Sequence, residues 1–227
     1  MEDKAKPGYS DGIFSFMTTE HFTLQSARSI INQEITSRVS SYFMTLSSIL
    51  IATAFLAQFS ENRQLFVLFS LIAYPLLLFL GEMTFMRIMQ LGIMDSIYIR
   101  AINQVRHFYI QAAPESENHL LFPPFDDDIS ISKYGGYRFS VIGNLLSSGF
   151  IVGTMNIVIG VVLLGVVLHN SFHLNLQLII PLGLVLIILL MPLQGFIASR
   201  IIRRDIPENH LKARFPIARY DIEPASQ

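Results

Sequence analysis

From residue 139 to residue 199 the chain carries no Asp, Glu, Lys or Arg, an uncharged run of sixty-one residues. A helix crosses the hydrocarbon core of a bilayer in roughly 20 residues, so this run has room for two crossings. Two shorter uncharged runs precede it, at 39–60 and 64–81. A soluble domain with the same 52% hydrophobic content would spread its apolar residues at amphipathic period; here they are concentrated in continuous runs. The expected fold is therefore all-α, a polytopic membrane protein with four transmembrane helices, at Ser41–Phe59, Leu65–Phe85, Phe139–Leu168 and Leu176–Ser199.

Charge sets the threading. Lys4, Lys6, Arg28 and Arg38 precede the first crossing, and Arg87, Arg100, Arg106, Lys133 and Arg138 lie between the second and third. Arg200, Arg203, Arg204, Lys212, Arg214 and Arg219 follow the fourth. Only Arg63, of sixteen basic residues, falls in a connection on the other side. The positive-inside rule then expects both termini and the long middle segment in the cytoplasm. Almost nothing faces the far side, so any signal the protein receives is expected from within the cell.

Several functional classes fall away. A net charge of -1 gives no broad basic surface for nucleic acid, and the lack of cysteine removes disulfide frameworks and thiol chemistry. No basic region leads into an apolar core after Met1-Glu2-Asp3-Lys4, so no cleavable signal peptide is expected. No nucleophile elbow, phosphate loop or paired-carboxylate arrangement stands out, and no enzyme or cofactor is expected.

No Gly or Pro occurs between Gly12 and Pro75, and no Pro between Pro75 and Pro114, so the first two crossing helices can continue beyond the membrane. The first is expected from an N-cap at Thr23, with Leu24, Ala27, Ile31, Ile35, Tyr42 and Leu46 near one stripe. After the second crossing Met94, Ile97, Tyr98, Ala101, Val105, Phe108, Tyr109 and Ala112 recur at helical period. Two readings compete for this second stripe. It can lie in the headgroup layer, with Gly92 as the bend, or pack on the first helix as a cytoplasmic stem. As a stem, Ile97, Ala101, Val105 and Phe108 are candidates for an oligomer or partner surface.

The domain plan that follows has a mobile N-terminus at 1–18, a helical hairpin with stem at 19–113, and a cytoplasmic loop at 114–137. A second hairpin at 138–204 and an extended tail at 205–227 complete it. Within the loop, Asp126-Asp127-Asp128 reads as a solvated acidic turn in preference to a cation site, because three consecutive carboxylates cannot converge on one ion.

Candidate sites lie mainly in the third crossing. Gly149, Gly153, Asn156 and Gly160 share one helix face, with Gly143, Asn144 and Ser148 nearby. Small residues at this spacing permit close helix packing in lipid. The alternative is a pore lining in which Asn144, Ser148 and Asn156 meet water. Gln58 is either an interfacial amide or part of a ring at a pore entrance. Glu82, bordering the second crossing, is read as half of an interfacial ion pair with Arg87 or Arg138. Pro75, Pro181 and Pro192 are expected to shape their helices. The histidines show no spacing suited to a metal; His169 and His173, four apart, have no further ligand, and His107 on the amphipathic helix is either a pH sensor or, by default, an ordinary surface histidine.

Two stretches, Glu20 to Arg28 leading to Ser47-Ser48, and Arg100 to Tyr109, resemble an uncharacterised group of small bacterial integral membrane proteins with four predicted crossings. The resemblance covers the first half of the chain and implies a bacterial inner-membrane location. It brings no catalytic or binding residue. The functional expectation is a homo-oligomeric pore or ion channel in the lipid bilayer. The rival is a non-conducting anchor that binds a cytosolic partner through stem and tail. A ligand-gated effector is a third reading.

Overall fold

The computed structural model describes residues 11–59, 63–120, 124–127, 147–205 and 213–216. Among them every regular element is helical: α1 (Asp11–Phe59), α2 (Arg63–Ala112), a 3-10 turn (Pro114–His119), α3 (Ser148–Phe172) and α4 (Leu176–Asp205). All four α-helices are long and apolar enough to cross a membrane. With 49 and 50 residues, α1 and α2 reach roughly 75 Å at ~1.5 Å per residue, well beyond a ~30 Å hydrocarbon core.

α1 starts twelve residues before Thr23. The Thr23 hydroxyl does not cap; it donates to the Thr19 carbonyl at 2.9 Å, and Thr18 and Thr19 donate likewise to Phe14 and Ser15. A threonine inside a helix can satisfy its hydroxyl on the preceding turn, so its presence does not mark a helix start. Asp11 supplies the negative charge that the helix N-terminus favours. Residues 11–18, expected in a mobile segment, are thus helical. Phe14 stacks on Tyr109 with ring centroids 6.5 Å apart, and Thr18 shares a 2.8 Å hydrogen bond with the Tyr109 hydroxyl.

α2 runs unbroken through Pro75 and through Gly92, and α4 through Pro181 and Pro192. The start expected for the third crossing, Phe139, lies outside the described residues, as do Gly143 and Asn144. α3 begins at Ser148 because extended Ser147 is its N-cap, its hydroxyl accepting from the Phe150 N–H at 3.2 Å. It ends at His173, which takes the left-handed conformation (φ 52°) usual for a helix stop. His169 Nδ1 bonds the Leu174 carbonyl at 2.9 Å in the same turn. Between α3 and α4, glycines hold the backbones close: a Cβ on Gly183 would lie 2.9 Å from Val161 Cγ1, and one on Gly165 3.1 Å from Ile179 Cγ2.

The chain divides into two compact units, and both α1 and α2 contribute to each. Unit 1 takes α1 up to Gln33, α2 from Gly92, the 3-10 turn and the segments 124–127 and 213–216. Unit 2 takes α1 from Glu34, α2 up to Leu91, α3 and α4.

In unit 1 the expected pairing of stripes is present. Leu24 packs with Ile102 and Val105, flanked by Met17, Tyr98, Ala101 and Tyr109. The α2 stripe is therefore covered by α1: Val105 is buried, and Ile97, Ala101 and Phe108 are half-buried. The buried arc of α2 also extends to Ile99, Asn103 and His107, which the apolar stripe did not include. Asp95 is 1% exposed and receives Arg28 Nε at 2.7 Å.

The acidic triplet is not a solvated turn. Asp126 is 1% exposed and Asp127 8% exposed, while Asp128 lies outside the described residues. Asp126 is buried because its carboxylate accepts backbone N–H groups from Arg214 and Phe215. His107 is likewise buried, its ring stacked on Phe215.

Candidate functional site: a polar layer among apolar helices

Unit 2 is built on Tyr42 and Leu46 of α1, Tyr74, Leu77, Phe85 and Ile88 of α2, and Val152 and Ile159 of α3. Inside this apolar packing lies a small set of polar side chains drawn from all four helices. Tyr42 donates its hydroxyl to Asn156 Oδ1 at 2.7 Å, and Asn156 Nδ2 donates to Glu82 Oε1 at 3.1 Å. Asn156 is 2% exposed, so both ends of its amide need protein partners, and both have one. The Tyr42 donor and Glu82 acceptor also fix which end of the amide is oxygen.

Glycine makes this arrangement possible. A Cβ on Gly81 would collide with the Asn156 amide, and one on Gly153 with the Gln194 amide. A Cβ on Gly149 would strike the Met89 side chain, whereas Gly160 is looser, with Leu78 Cδ2 at 3.9 Å. Gly149 and Gly153 thus serve close packing within one chain, against α2 and α4 respectively. That packing also seats two amides, which a small-residue stripe alone does not reveal. Gly81 and Gln194 were missed in the sequence because neither belongs to a pattern; the only signal was an isolated amide in the fourth apolar run.

Glu82 does not pair with Arg87. The Arg87 guanidinium reaches Glu34 on α1, with Nε at 3.0 Å from Oε1 and a second nitrogen at 3.3 Å from Oε2. Arg38 bonds the same carboxylate at 2.9 Å. These contacts hold the Glu34 carboxyl below its ordinary pKa, through the Arg87 hydrogen bond first and that of Arg38 second. Glu82 is left on Asn156 with its side chain exposed on the outside of the helices, beside exposed Phe79, Leu80 and Met83. Arg138, the other partner expected for it, is outside the described residues.

The layer contains more acceptors than it satisfies. Gln194 Oε1 and Thr154 Oγ1 are buried with no hydrogen-bond partner among the described residues. Gln58 is exposed near the end of α1, and Ser148 is half-buried in the first turn of α3. The outward face of α1 carries exposed Ser37, Ser40, Ser41, Ser47 and Ser48. Of the polar residues singled out in the sequence, the structure joins Asn156 to Glu82 and shows no hydrogen bond from Gln58 or Ser148 to either. Toward the other end of unit 2, an apolar groove of about 410 Å³ runs between Phe66 and Val67 of α2, Val162 and Val166 of α3, and Ile180 and Leu184 of α4. Among the described residues no cluster of three or more His, Asp or Glu could hold a metal ion.

No family model matches this sequence, and neither a curated protein nor a solved structure matches it.

Proposed function

We propose that the chain is a homo-oligomeric inner-membrane protein whose copies form a pore or ion channel that answers to a cytoplasmic signal. The observation that supports this reading is the incomplete polar layer. Gln194 Oε1 and Thr154 Oγ1 lack partners, and Glu82 offers an exposed carboxylate beside apolar side chains. In hydrocarbon an unsatisfied buried acceptor is costly, and an ionisable group near it is usually met by water or a neighbouring subunit. Four helices of one chain, with Asn156 bonded internally, leave conduction to an axis between copies. Ser41, Ser48 and Gln58 on the outward face of α1, with Glu82, are the residues placed to line it.

Purified protein in planar bilayers is expected to give discrete conductance steps. Glu82→Gln should lower the preference for cations, and Gln194→Leu should reduce step size while Ser148→Leu leaves it unchanged. If intact oligomers show no conductance above the bare bilayer, the channel reading is wrong.

One observation favours the alternative, a non-conducting scaffold. In unit 1, for which the charge asymmetry supports a cytoplasmic location, Phe16, Phe22 and Ile30 of α1 are 66%, 65% and 61% exposed. Large apolar side chains held in water mark a contact surface. A cytosolic protein that co-purifies and is lost on Phe16→Glu with Phe22→Glu would support this version. Val105→Glu does not serve as its test, because Val105 is core.

A further inference from the structure

We propose that the α2 face from Arg100 to His107, together with Phe125 and Asp126, is a recognition site for a bent, non-helical peptide segment bearing an aromatic side chain, filled in cis by the chain's own Arg214–Phe215. The Asp126 carboxylate accepts two successive backbone N–H groups, Phe215 N on Oδ1 at 2.8 Å and Arg214 N on Oδ2 at 3.0 Å. In return the Asp126 N–H donates to the Phe215 carbonyl at 3.3 Å. Phe215 lays its ring on His107, with centroids 3.7 Å apart and planes 22° from parallel.

Contacts that do not involve the tail also hold the site. Gln104 Nε2 donates to Asp126 Oδ2 at 2.9 Å, setting the carboxylate. Arg100 holds the Asp126 carbonyl at 3.0 Å and Asn103 the Phe125 carbonyl at 2.7 Å, so two side chains of α2 fix the backbone that does the recognising. A second link steadies Asn103, whose Oδ1 accepts from Arg106 at 3.2 Å.

What is recognised is backbone plus one ring. The contacts to Arg214 use its N–H, and only Phe215 adds a side chain. Pro216 disfavours helical backbone at the residue before it, and the chain bends at Arg214 and Phe215, turning both N–H groups toward the one carboxylate. The ligand class is thus a bent segment with two successive N–H groups turned to one side, an aromatic residue and a following proline. Recognition of this kind does not depend on covalent attachment, and a tethered segment owes its occupancy to a local concentration in the millimolar range. A competing segment of the same chemistry, from a second copy or another protein, can displace it. The site stands independently of whether the membrane unit conducts.

The test uses the full chain in detergent and a labelled synthetic peptide of residues 210–219. Phe215→Pro removes both the N–H and the ring from the cis segment, and should bind the peptide at least tenfold more tightly than wild type. A peptide with alanine at the phenylalanine position should bind at least tenfold more weakly, and adding Asp126→Asn to the open variant should abolish binding. Wild type decides the matter alone if the variant misfolds: excess peptide should expose the bond after Arg214 to trypsin. Equal binding by wild type and Phe215→Pro, or binding indifferent to the aromatic residue, overturns the proposal. So does a bond after Arg214 that stays equally protected with and without peptide. Conductance enters none of these outcomes.

Discussion

The same two helices build both units, yet what they bury is opposite. Unit 1 buries Asp95, Asn103, His107, Asp126 and Asp127, whereas the buried polar residues described in unit 2 are Ser70 and Asn156, neither charged. Outward the relation reverses. Large exposed apolar residues crowd unit 2, with α4 presenting Leu178, Ile180, Leu184, Ile188, Leu189 and Phe196, while unit 1 exposes Ile13, Phe16, Phe22, Ile30 and Met94. A helix in water can bury a charge if a partner meets it, since the surrounding solvent makes no demand on the outside. A helix in lipid must keep its outside apolar and satisfies buried polarity with short neutral contacts. The boundary falls within α1 after Gln33 and within α2 after Leu91, so each of these helices changes what it buries and what it exposes along its own length.

The largest expected effect tests whether unit 1 depends on buried charge. Asp95, with a side chain 2% exposed, faces Arg28, itself 34% exposed. Arg28→Ala leaves the carboxylate buried without that guanidinium, at a cost of about 3 kcal/mol, the low end for a broken buried pair because Arg28 is partly solvated. Hydrogen exchange should rise across 11–33 and 92–112. Arg87→Ala removes a pair to Glu34 in which neither side chain is buried and Arg38 remains on the carboxylate, and it should leave exchange and the thermal midpoint unchanged. Equal effects from the two variants would erase the contrast between the units.

That prediction also marks what the sequence could reveal. The apolar runs made all four long helices legible, because a helix long and apolar enough to cross a membrane declares itself by hydropathy alone, without needing a partner elsewhere in the chain. The Leu24 and Val105 stripes were legible for the ordinary amphipathic reason. Asp95, Asp126 and His107 were not, since a charged or polar residue is buried by partners far along the chain and leaves no periodic trace. Asp126 is met by Arg214 and Phe215, eighty-eight and eighty-nine residues away. The true buried arc of α2 continues past its apolar stripe onto Asn103 and His107, where hydropathy carries no signal. In unit 2 the gap was smaller: α3's small-residue face was visible, but its amide seat on Gly81 needed the structure.

A smaller effect with opposite signs separates the two α2 glycines. Gly81→Ala would push a methyl into the Asn156 amide, which Tyr42 and Glu82 hold in place. A loss of about 1–3 kcal/mol is expected from this overpacking. Gly92→Ala meets nothing within 4 Å and lies inside the helix. It should gain roughly 0.5–1 kcal/mol from helix propensity. Thermal unfolding of the two variants in the same detergent checks both signs. Two losses would mean that Gly92 supplies a bend instead of sitting in a straight helix.

The smallest effect concerns pH and sharpens the comparison at the tail. His107, outside the crossing segments, has its pKa lowered from 6.5 mainly by burial, with Asp126 and Glu117 pulling it partly back up. Its neutral form is therefore favoured when Phe215 covers it. Docking of Arg214–Phe215 should be at full strength above pH 6.5 and weaken as pH falls toward the lowered value, where the released histidine takes up a proton first. Tryptic cleavage after Arg214, sampled in a pH series with enzyme activity normalised, should accelerate below pH 6.5. His107→Gln should flatten that profile, because the amide does not titrate. Unit 2 buries no histidine or carboxylate among its described residues, and a phenol such as Tyr42 stays protonated throughout this range, so protection of the Asn156 region should stay level. An acceleration that persists in His107→Gln would overturn the assignment of the pH effect to His107.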